Sequence, residues 1–492
     1  MPHMLKNGFT DRFSKFRLGG ISIILFAYAP GVFKESFWSD DYPALMDSGS
    51  VANHIFRDAR PTAAALFSMS FSHLGGPSNG WVLRSFALIA LLLIFLFISK
   101  RVSESMHGNL RIISIAVALC LPSFQMYIHW SITWFFLWAA LAGLWAFKLW
   151  CSKPISRKII AVFLLTLALT TYPPAALFFF SVIAVVNTLN QSRIAKYISD
   201  VLQGLILLAI STLIAITTAF SAMYLAGVSP NSRVALLSVS KIPEKVGWLI
   251  SRPMVVGLRP FLIDSPAPML AIITALPVLL IIALGVRRQS AKLDEKIVNR
   301  FFWIALPLIL SLIPIIITSD NQIEFRVLPG YSWGIAVLSS YFLLVMVADW
   351  VNSLKMSERF RVAALFITPS ILAAIGIVSI NMHYSDLFEA PYRMKNVFLN
   401  ARITACLESG AMKSVIILPP KAPFPSLPRL GVFSMSTDLA SDWVPKPNVE
   451  LLLNERNFSV PVTYLDVRPL KVQAVTTECV IDLEEFRKLL IK

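Results

Sequence analysis

The sequence predicts an all-α polytopic membrane bundle followed by a small mixed α/β domain, and three observations carry that fold class. Across 492 residues, 56% are hydrophobic and only 15% charged, with a mean hydropathy of +0.68, too few polar side chains to wet the surface of a soluble globule. Apolar runs near the length of one bilayer crossing recur through residues 1–380, about eleven of them at roughly 17 to 25 residues per crossing. Past residue 381 the composition changes to short apolar runs separated by proline-rich turns.

In chain order the runs centre on 18–35, 81–99, 111–129, 130–148, 158–172, 174–189, 201–226, 267–286, 301–318, 334–350 and 362–380. A bilayer offers no water to satisfy a backbone amide, so each run is expected to be a helix. Cations orient the bundle, because Lys and Arg are retained in cytoplasmic turns. Lys6, Arg12, Lys15 and Arg17 precede the first run, and Lys100, Arg101 and Arg111 follow the second. Later alternate turns hold Lys148, Lys153, Arg157 and Lys158, then Arg193 and Lys196, then Arg287, Arg288, Lys292, Lys296 and Arg300, then Lys355, Arg359 and Arg361. The N-terminus is therefore expected in the cytoplasm. The first run has the basic flank of a secretory leader, but no small-residue cleavage site follows it, and it is read as a retained helix. The net charge of +16 is on this reading a topology signal. Nucleic-acid binding would need one continuous basic face with interleaved aromatics, and no such partner is expected.

An odd number of crossings divides the chain into a transmembrane domain, 1–381, and an outer-face α/β domain, 382–492. It also leaves three outer loops, 36–80, 227–266 and 319–333. In the tail, 415–418 and 460–465 read as strands, with turns at 419–428 and 445–447. Cys406 and Cys479 both lie there. An oxidising compartment permits a disulfide between them, the alternative being two buried thiols. Cys120 and Cys151 lack the spacing of a metal site. There is no nucleotide-type glycine loop, zinc-type pairing or Gly-x-Ser-x-Gly elbow, so no cofactor is expected and a divalent metal is not indicated.

Ionisable groups are nearly absent from the centres of the runs, which argues against the proton or ion relays of coupled transporters. The exceptions, Arg84 and His129, fall near outer helix ends, where snorkelling to the interface costs little. Charge gathers instead on the outer loops. The first begins Phe37-Trp38-Ser39-Asp40-Asp41-Tyr42-Pro43, an acid pair where the first run leaves the membrane, and continues through His54, Arg57, Asp58 and Arg60 into an amphipathic pattern over 62–72. Arg57 and Arg60 are spaced to share a helical face. The second loop contributes Lys245, Arg252 and Arg259, with an amphipathic stretch over 245–253, and the third contributes Glu324 and Arg326. A carboxylate base beside fixed guanidinium groups suits attack by a hydroxyl on a lipid-phosphate substrate. Ordinary roles stand beside these: a solvated helix exit for the acids, lipid headgroups for Arg57 and Arg60, and interface anchoring for Arg326, His54 and His129.

The chain resembles the GT-C superfamily of integral-membrane glycosyltransferases, and within it the bacterial GtrII-type enzymes that glucosylate O-antigen. The likeness rests on Ser39-Asp40-Asp41-Tyr42-Pro43, on Arg57-Asp58-Ala59-Arg60-Pro61-Thr62, on the break Thr171-Tyr172-Pro173-Pro174-Ala175 and on Phe325-Arg326-Val327-Leu328-Pro329, and covers most of residues 15–350. Two positions depart from the family pattern, which often has Gly where Ala59 stands and Tyr-Gln-Pro-Ala where this chain has Tyr172-Pro173-Pro174-Ala175. The resemblance implies inverting transfer of a sugar, glucose by the GtrII comparison, from a polyprenyl-phosphate carrier to lipopolysaccharide O-antigen or a related surface saccharide. It further implies a bacterial inner membrane, a periplasmic site, and partner enzymes that make and flip the donor. Asp40 or Asp41 would be the base, and Arg57, Arg60, Arg326, Lys245, Arg252 and Arg259 would bind the lipid phosphate. His54, Asp58, His129, Tyr172 and Glu324 would meet acceptor or sugar. The rival reading is a lipid-linked-sugar flippase or polysaccharide transporter without chemistry. A third, an acyl or phosphoethanolamine transferase, lacks the His-Asp or metal pattern it would need.

Overall fold

The computed structural model describes residues 2–34, 40–102, 108–260, 268–321, 325–354, 357–410, 413–421, 444–465 and 478–491. The chain is a helical membrane protein. Among the described residues seven helices are long and apolar enough to cross a bilayer, or up to eight if one bent pair counts as a single crossing. That is fewer than the expectation of about eleven. Among the described residues each expected run is mostly helical, but some are short or broken, and the interruptions have identifiable causes.

The full-length crossings lie in α1 (Pro2–Phe33), α5 (Gly80–Ser99), α8 (Trp134–Trp150), α12 (Ile194–Leu225), α15 (Pro268–Leu293), α18 (Pro329–Ser353) and α19 (Glu358–Tyr384). Between α6 (Gly108–Ala118) and α7 (Pro122–His129) the axis bends by 56°. Leu121 is extended there, with φ −77 and ψ 160, because the ring of Pro122 disfavours helix in the residue before it. Tyr172 is extended for the same reason, with φ −155 and ψ 97. It separates α9 (Ile155–Thr171) from α10 (Pro173–Ala176) and α11 (Phe178–Leu189). A third interruption, at Ser311 and Leu312, divides α16 (Ile297–Leu310) from α17 (Ile313–Ile317), which has Pro in its first turn. α8 passes close to the second break: a Cβ on Gly143 would stand 2.2 Å from the Ala176 carbonyl oxygen, so only glycine fits.

At one end of the bundle the loops interlock. The first contains α2 (Asp41–Met46), α3 (Ser48–Arg57) and α4 (Pro61–Phe71); the second contains α13 (Ile242–Ser251) and α14 (Pro253–Gly257). Asp47 caps α3, accepting from the Ser50 N–H at 2.9 Å. The second loop ties to the first through Asn231 N–H to the Arg57 carbonyl, 2.9 Å, and to the end of α17 and the residues after it through Leu237 N–H to the Ile317 carbonyl and Ser319 N–H to the Ala235 carbonyl. Ionic ties close the opposite end. Arg300, fully buried, donates to Glu295 at 2.6 Å, and the other Glu295 oxygen accepts the Ile194 N–H at 3.0 Å.

α19 continues without interruption through a π-helical turn, Ser385–Glu389, into α20 (Ala390–Glu408), so residue 381 lies inside one helical run. α20 then packs Phe398, Leu399 and Ile403 against a three-stranded parallel sheet of order β2-β1-β3. The strands are β1 (Ser414–Leu418), β2 (Val462–Tyr464) and β3 (Glu478–Asp482), with α21 (Pro445–Glu455) between the first two and α22 (Leu483–Ile491) after the third. Val415, Ile417, Val449, Leu453 and Ile481 complete this second core. Cys406 of α20 and Cys479 of β3 form a disulfide with Cα atoms 5.5 Å apart. α21 packs on α2, so the small domain covers the loop end of the bundle at the acid pair.

Candidate functional site

Adjacent residues at the start of a helix project roughly 100° apart, so an acid pair cannot present both carboxylates inward. Asp40 precedes α2 and is half-buried, whereas Asp41 is its first residue and 0% exposed. An Asp41 oxygen accepts the Ile132 N–H at 3.0 Å, which fixes the carboxylate against the short turn linking α7 to α8. Tyr42 follows, buried, with the Lys395 ammonium of α20 only 3.8 Å from its ring centroid. Lys395 is itself 1% exposed.

The segment 129–133 is the hub of this end. His129 is enclosed by the rings of Tyr28, Tyr384 and Phe388, with centroids 5.7, 4.7 and 5.2 Å away. Neither of its ring nitrogens has a hydrogen-bond partner among the described residues. Gly31 makes room for it, since a Cβ there would meet the His129 ring at 2.3 Å. Trp130 lies under the Arg326 guanidinium, 5.5 Å to the centroid. Nearby, Arg84 donates to the Lys34 carbonyl at 2.7 Å, and Lys34 pairs with Glu389 at 2.7 Å. Arg393 binds the other Glu389 oxygen at 2.5 Å. Arg84 and His129, each 1% exposed, do not snorkel to an interface as expected. They face protein: the bend at Pro122 turns α7 inward so that His129 meets Tyr384 and Phe388, and Arg84 of α5 is buried against the Lys34 carbonyl.

The two proline breaks converge on the same place. The hydroxyls of Tyr127, after the first, and Tyr172, before the second, both donate to the Arg326 carbonyl, the latter at 3.3 Å. Tyr172 stacks on Phe136 at 3.6 Å, and Arg60 sits over its ring at 5.2 Å. The structure thus gathers Asp40, Asp41, Arg60, Arg326, His129 and Tyr172 from sites far apart in sequence. Beside them, between α4, α5 and α8, is an apolar groove of about 400 Å³ lined by Met69, Ser70, His73, Phe86 and Trp134.

Other expected residues are placed elsewhere. Arg57 and Arg60 do not share a face, because α3 ends at Arg57, Ala59 adopts φ +57, and Arg60 caps a new helix begun by Pro61. Arg57 donates to the Ser229 carbonyl at 3.0 Å, and Asp58 accepts from Asn231 at 2.7 Å, so both fasten the first loop to the second. The His54 side chain is exposed. Lys245 donates to the Asp320 carbonyl at 2.6 Å and to Asn321 at 2.9 Å, joining the second loop to the third. Burial pulls its ammonium below the ordinary lysine range, with Asp320 opposing. Arg259 is buried and Arg252 is exposed. Glu324 and Trp38 lie outside the described residues. Among the described residues no group of three or more His, Cys, Asp or Glu could hold a metal.

Sequence reasoning missed Lys34, Glu389, Arg393 and Lys395. The Glu389–Arg393 spacing, i to i+4, is a helical ion-pair signal, but nothing local announces that the pair returns to α1 from 355 residues away. No family model matches the chain, and no curated protein matches it.

Proposed function

We propose that the chain is a GT-C-type glycosyltransferase that moves a sugar from a polyprenyl-phosphate carrier to a surface saccharide, with Asp41 as the base. The observation that carries this reading is a fully buried carboxylate held by the Ile132 N–H in a cluster where cations outnumber acids. Arg60, Arg326 and Lys395 reach this end of the bundle over the rings of Tyr172, Trp130 and Tyr42, and Arg84 through the Lys34 carbonyl. Fixed cations in a water-poor site stabilise negative charge that grows on a departing phosphate. The neighbouring apolar groove suits an isoprenoid chain, whose transfer from water is favourable in proportion to the area covered.

The reaction on this reading is a single displacement. The acceptor hydroxyl oxygen forms a bond to the anomeric carbon as that carbon's bond to the phosphate oxygen breaks. Asp41 takes the hydroxyl proton. The bonding pair leaves with the polyprenyl phosphate, whose charge Arg60 and Arg326 meet, and the anomeric centre inverts. Asp40, half-buried at the rim, orients the acceptor. Aromatic faces at Trp130 and Tyr172 offer stacking for sugar rings.

The test compares surface polysaccharide from bacteria with and without the gene, in cells supplied with polyprenyl-phosphate glucose. An added sugar branch only in cells with the gene is the expected result. Identical polysaccharides, with donor and protein both present, overturn the reading; an identical product with altered lipid-linked sugar distribution favours a flippase.

A further inference from the structure

We propose that α13 lies in the bilayer interface at the loop end of the bundle, with Ile242, Val246 and Ile250 in lipid, so that the second loop is a membrane-binding surface. This surface stands apart from the glycosyltransferase reading and does not depend on it.

At 100° per residue, Ile242, Val246 and Ile250 fall within an arc of about 80° on α13. They are 45, 46 and 57% exposed. The adjoining arc faces protein: Lys245 and Leu249 are buried, and the Lys245 ammonium stands 4.3 Å from the centroid of the half-buried Trp248 ring. Glu244 and Ser251, both exposed, lie on the side roughly opposite the aliphatic stripe. The helix therefore has three faces, one against protein, one polar, and one aliphatic that is left uncovered by the described residues. A helix with water on both of its free faces has no use for an aliphatic stripe on one of them.

What covers the stripe follows from where it begins. Val239, exposed and three residues before Ile242, extends it towards Leu236, also exposed. The Leu237 N–H donates to the Ile317 carbonyl at 2.9 Å, and Leu236 bridges Thr318, so this part of the loop is fastened to the end of the apolar run formed by α16 and α17. α13 itself packs on α17. That run presents Phe302 and Ile317 outward, and in a membrane protein the outward apolar face of such a run meets acyl chains. The stripe continues this lipid-facing surface past the end of the run. The ten residues of α13 rise about 15 Å, half of a hydrocarbon core roughly 30 Å thick, so the helix cannot cross and lies along the surface instead. Exposed Lys241 and Arg252 flank its two ends, as cations do where lipid phosphates sit. A second copy of the chain fits less well, because a stable protein interface uses roughly 20 to 30 residues a side and the stripe is a single row of side chains. On its protein side α13 holds the third loop, through Lys245 to the Asp320 carbonyl and Asn321. Seating α13 in the interface thus sets the height of that loop against the headgroups.

The experiment uses the full chain in nanodiscs of phosphatidylethanolamine and phosphatidylglycerol, with Cys151→Ser so that the remaining cysteines are buried or in the disulfide. Glu244→Cys, Val246→Cys, Ile250→Cys and Ser251→Cys each carry a nitroxide, and its collisions are measured with oxygen, which concentrates among acyl chains, and with a nickel chelate, which stays in water. The ratio of oxygen to nickel collisions should be several-fold higher at positions 246 and 250 than at 244 and 251. An equal ratio at all four positions leaves the stripe in water and overturns the proposal. Weak collision with both reagents at 246 and 250 means that protein covers the stripe, a second copy or another segment of this chain, and overturns it as well. Should a nitroxide displace the helix, the unlabelled wild-type protein is irradiated with a phospholipid carrying a diazirine high on its acyl chain. Adducts are expected on the peptide 242–251, and their absence, where α12 is labelled, overturns the proposal. Neither readout requires turnover, so the result holds whether or not the protein transfers sugar.

Discussion

Reducing the Cys406–Cys479 disulfide changes no side-chain volume, yet it should loosen the domain that carries Lys395. The bridge spans 73 residues of sequence. In the chain-entropy treatment a loop of that length contributes about 4 kcal/mol by restricting the unfolded chain. Since about 1.4 kcal/mol is a factor of ten, opening of the sheet should become roughly a thousandfold more frequent. The amides to watch are those of β1 and β3, where Val415 pairs with Cys479 and Ile417 with Ile481 in parallel register. Hydrogen-exchange mass spectrometry on the full chain in nanodiscs, with and without reductant, reads this directly. Exchange in 414–418 and 478–482 should accelerate by two to three orders of magnitude, roughly, while the buried centre of α18 should be unaffected. Unchanged exchange in both strands, with the thiols verified as reduced, would refute the loop-entropy argument and assign the domain's stability to its apolar core alone.

Two further outcomes follow from local chemistry. Ala59 holds φ +57 between α3 and α4, a conformation that costs a non-glycine residue roughly 1 to 2 kcal/mol, so Ala59→Gly should raise the protein's thermal midpoint despite removing a methyl group. A lower midpoint would contradict this. Glu484 is held down to about 2 by hydrogen bonds, first from the Arg487 side chain at 2.7 and 2.8 Å and then from the Lys421 N–H at 2.9 Å. Its folded value is below the ordinary 4.5, so the stability it contributes is complete above about pH 4.5 and is lost as pH falls through about 2. Wild-type and Glu484→Gln proteins should therefore differ in exchange protection of α22 at pH 6 and converge near pH 2; a gap that persists at pH 2 would rule out this linkage.

The apolar runs were legible because the bilayer imposes length and composition on each crossing. Their count was not, since the same prolines that leave composition apolar, Pro122, Pro173 and Pro174, divide helices into pieces too short to span. The acid pair was legible as chemistry, but its division into a half-buried Asp40 and an enclosed Asp41 depends on the start of α2, which two adjacent letters do not specify. Arg57 and Arg60 misled through their spacing: i to i+3 places residues on one face only if the helix continues, and Ala59 ends it. The left-handed Ala59 also gives a physical reason why a glycine is favoured there. The contact of Lys395 with the Tyr42 ring was not legible because it joins residues far apart in sequence, and locally Arg393-Met394-Lys395 reads as the solvated face of a helix. β3 was not legible because its apolar content, Cys479-Val480-Ile481, is too short a run to tell a buried strand from a piece of helix.

Sugar transfer by purified Asp41→Asn protein, measured with polyprenyl-phosphate glucose and a lipopolysaccharide acceptor, bears most directly on the proposed mechanism. Asn keeps the shape of the side chain and can still accept from the Ile132 N–H, but it cannot take a proton. The rate should fall by about a hundred- to ten-thousand-fold with thermal stability near wild type, and Asp40→Asn should lose less. A wild-type rate in Asp41→Asn would contradict the assignment of the base.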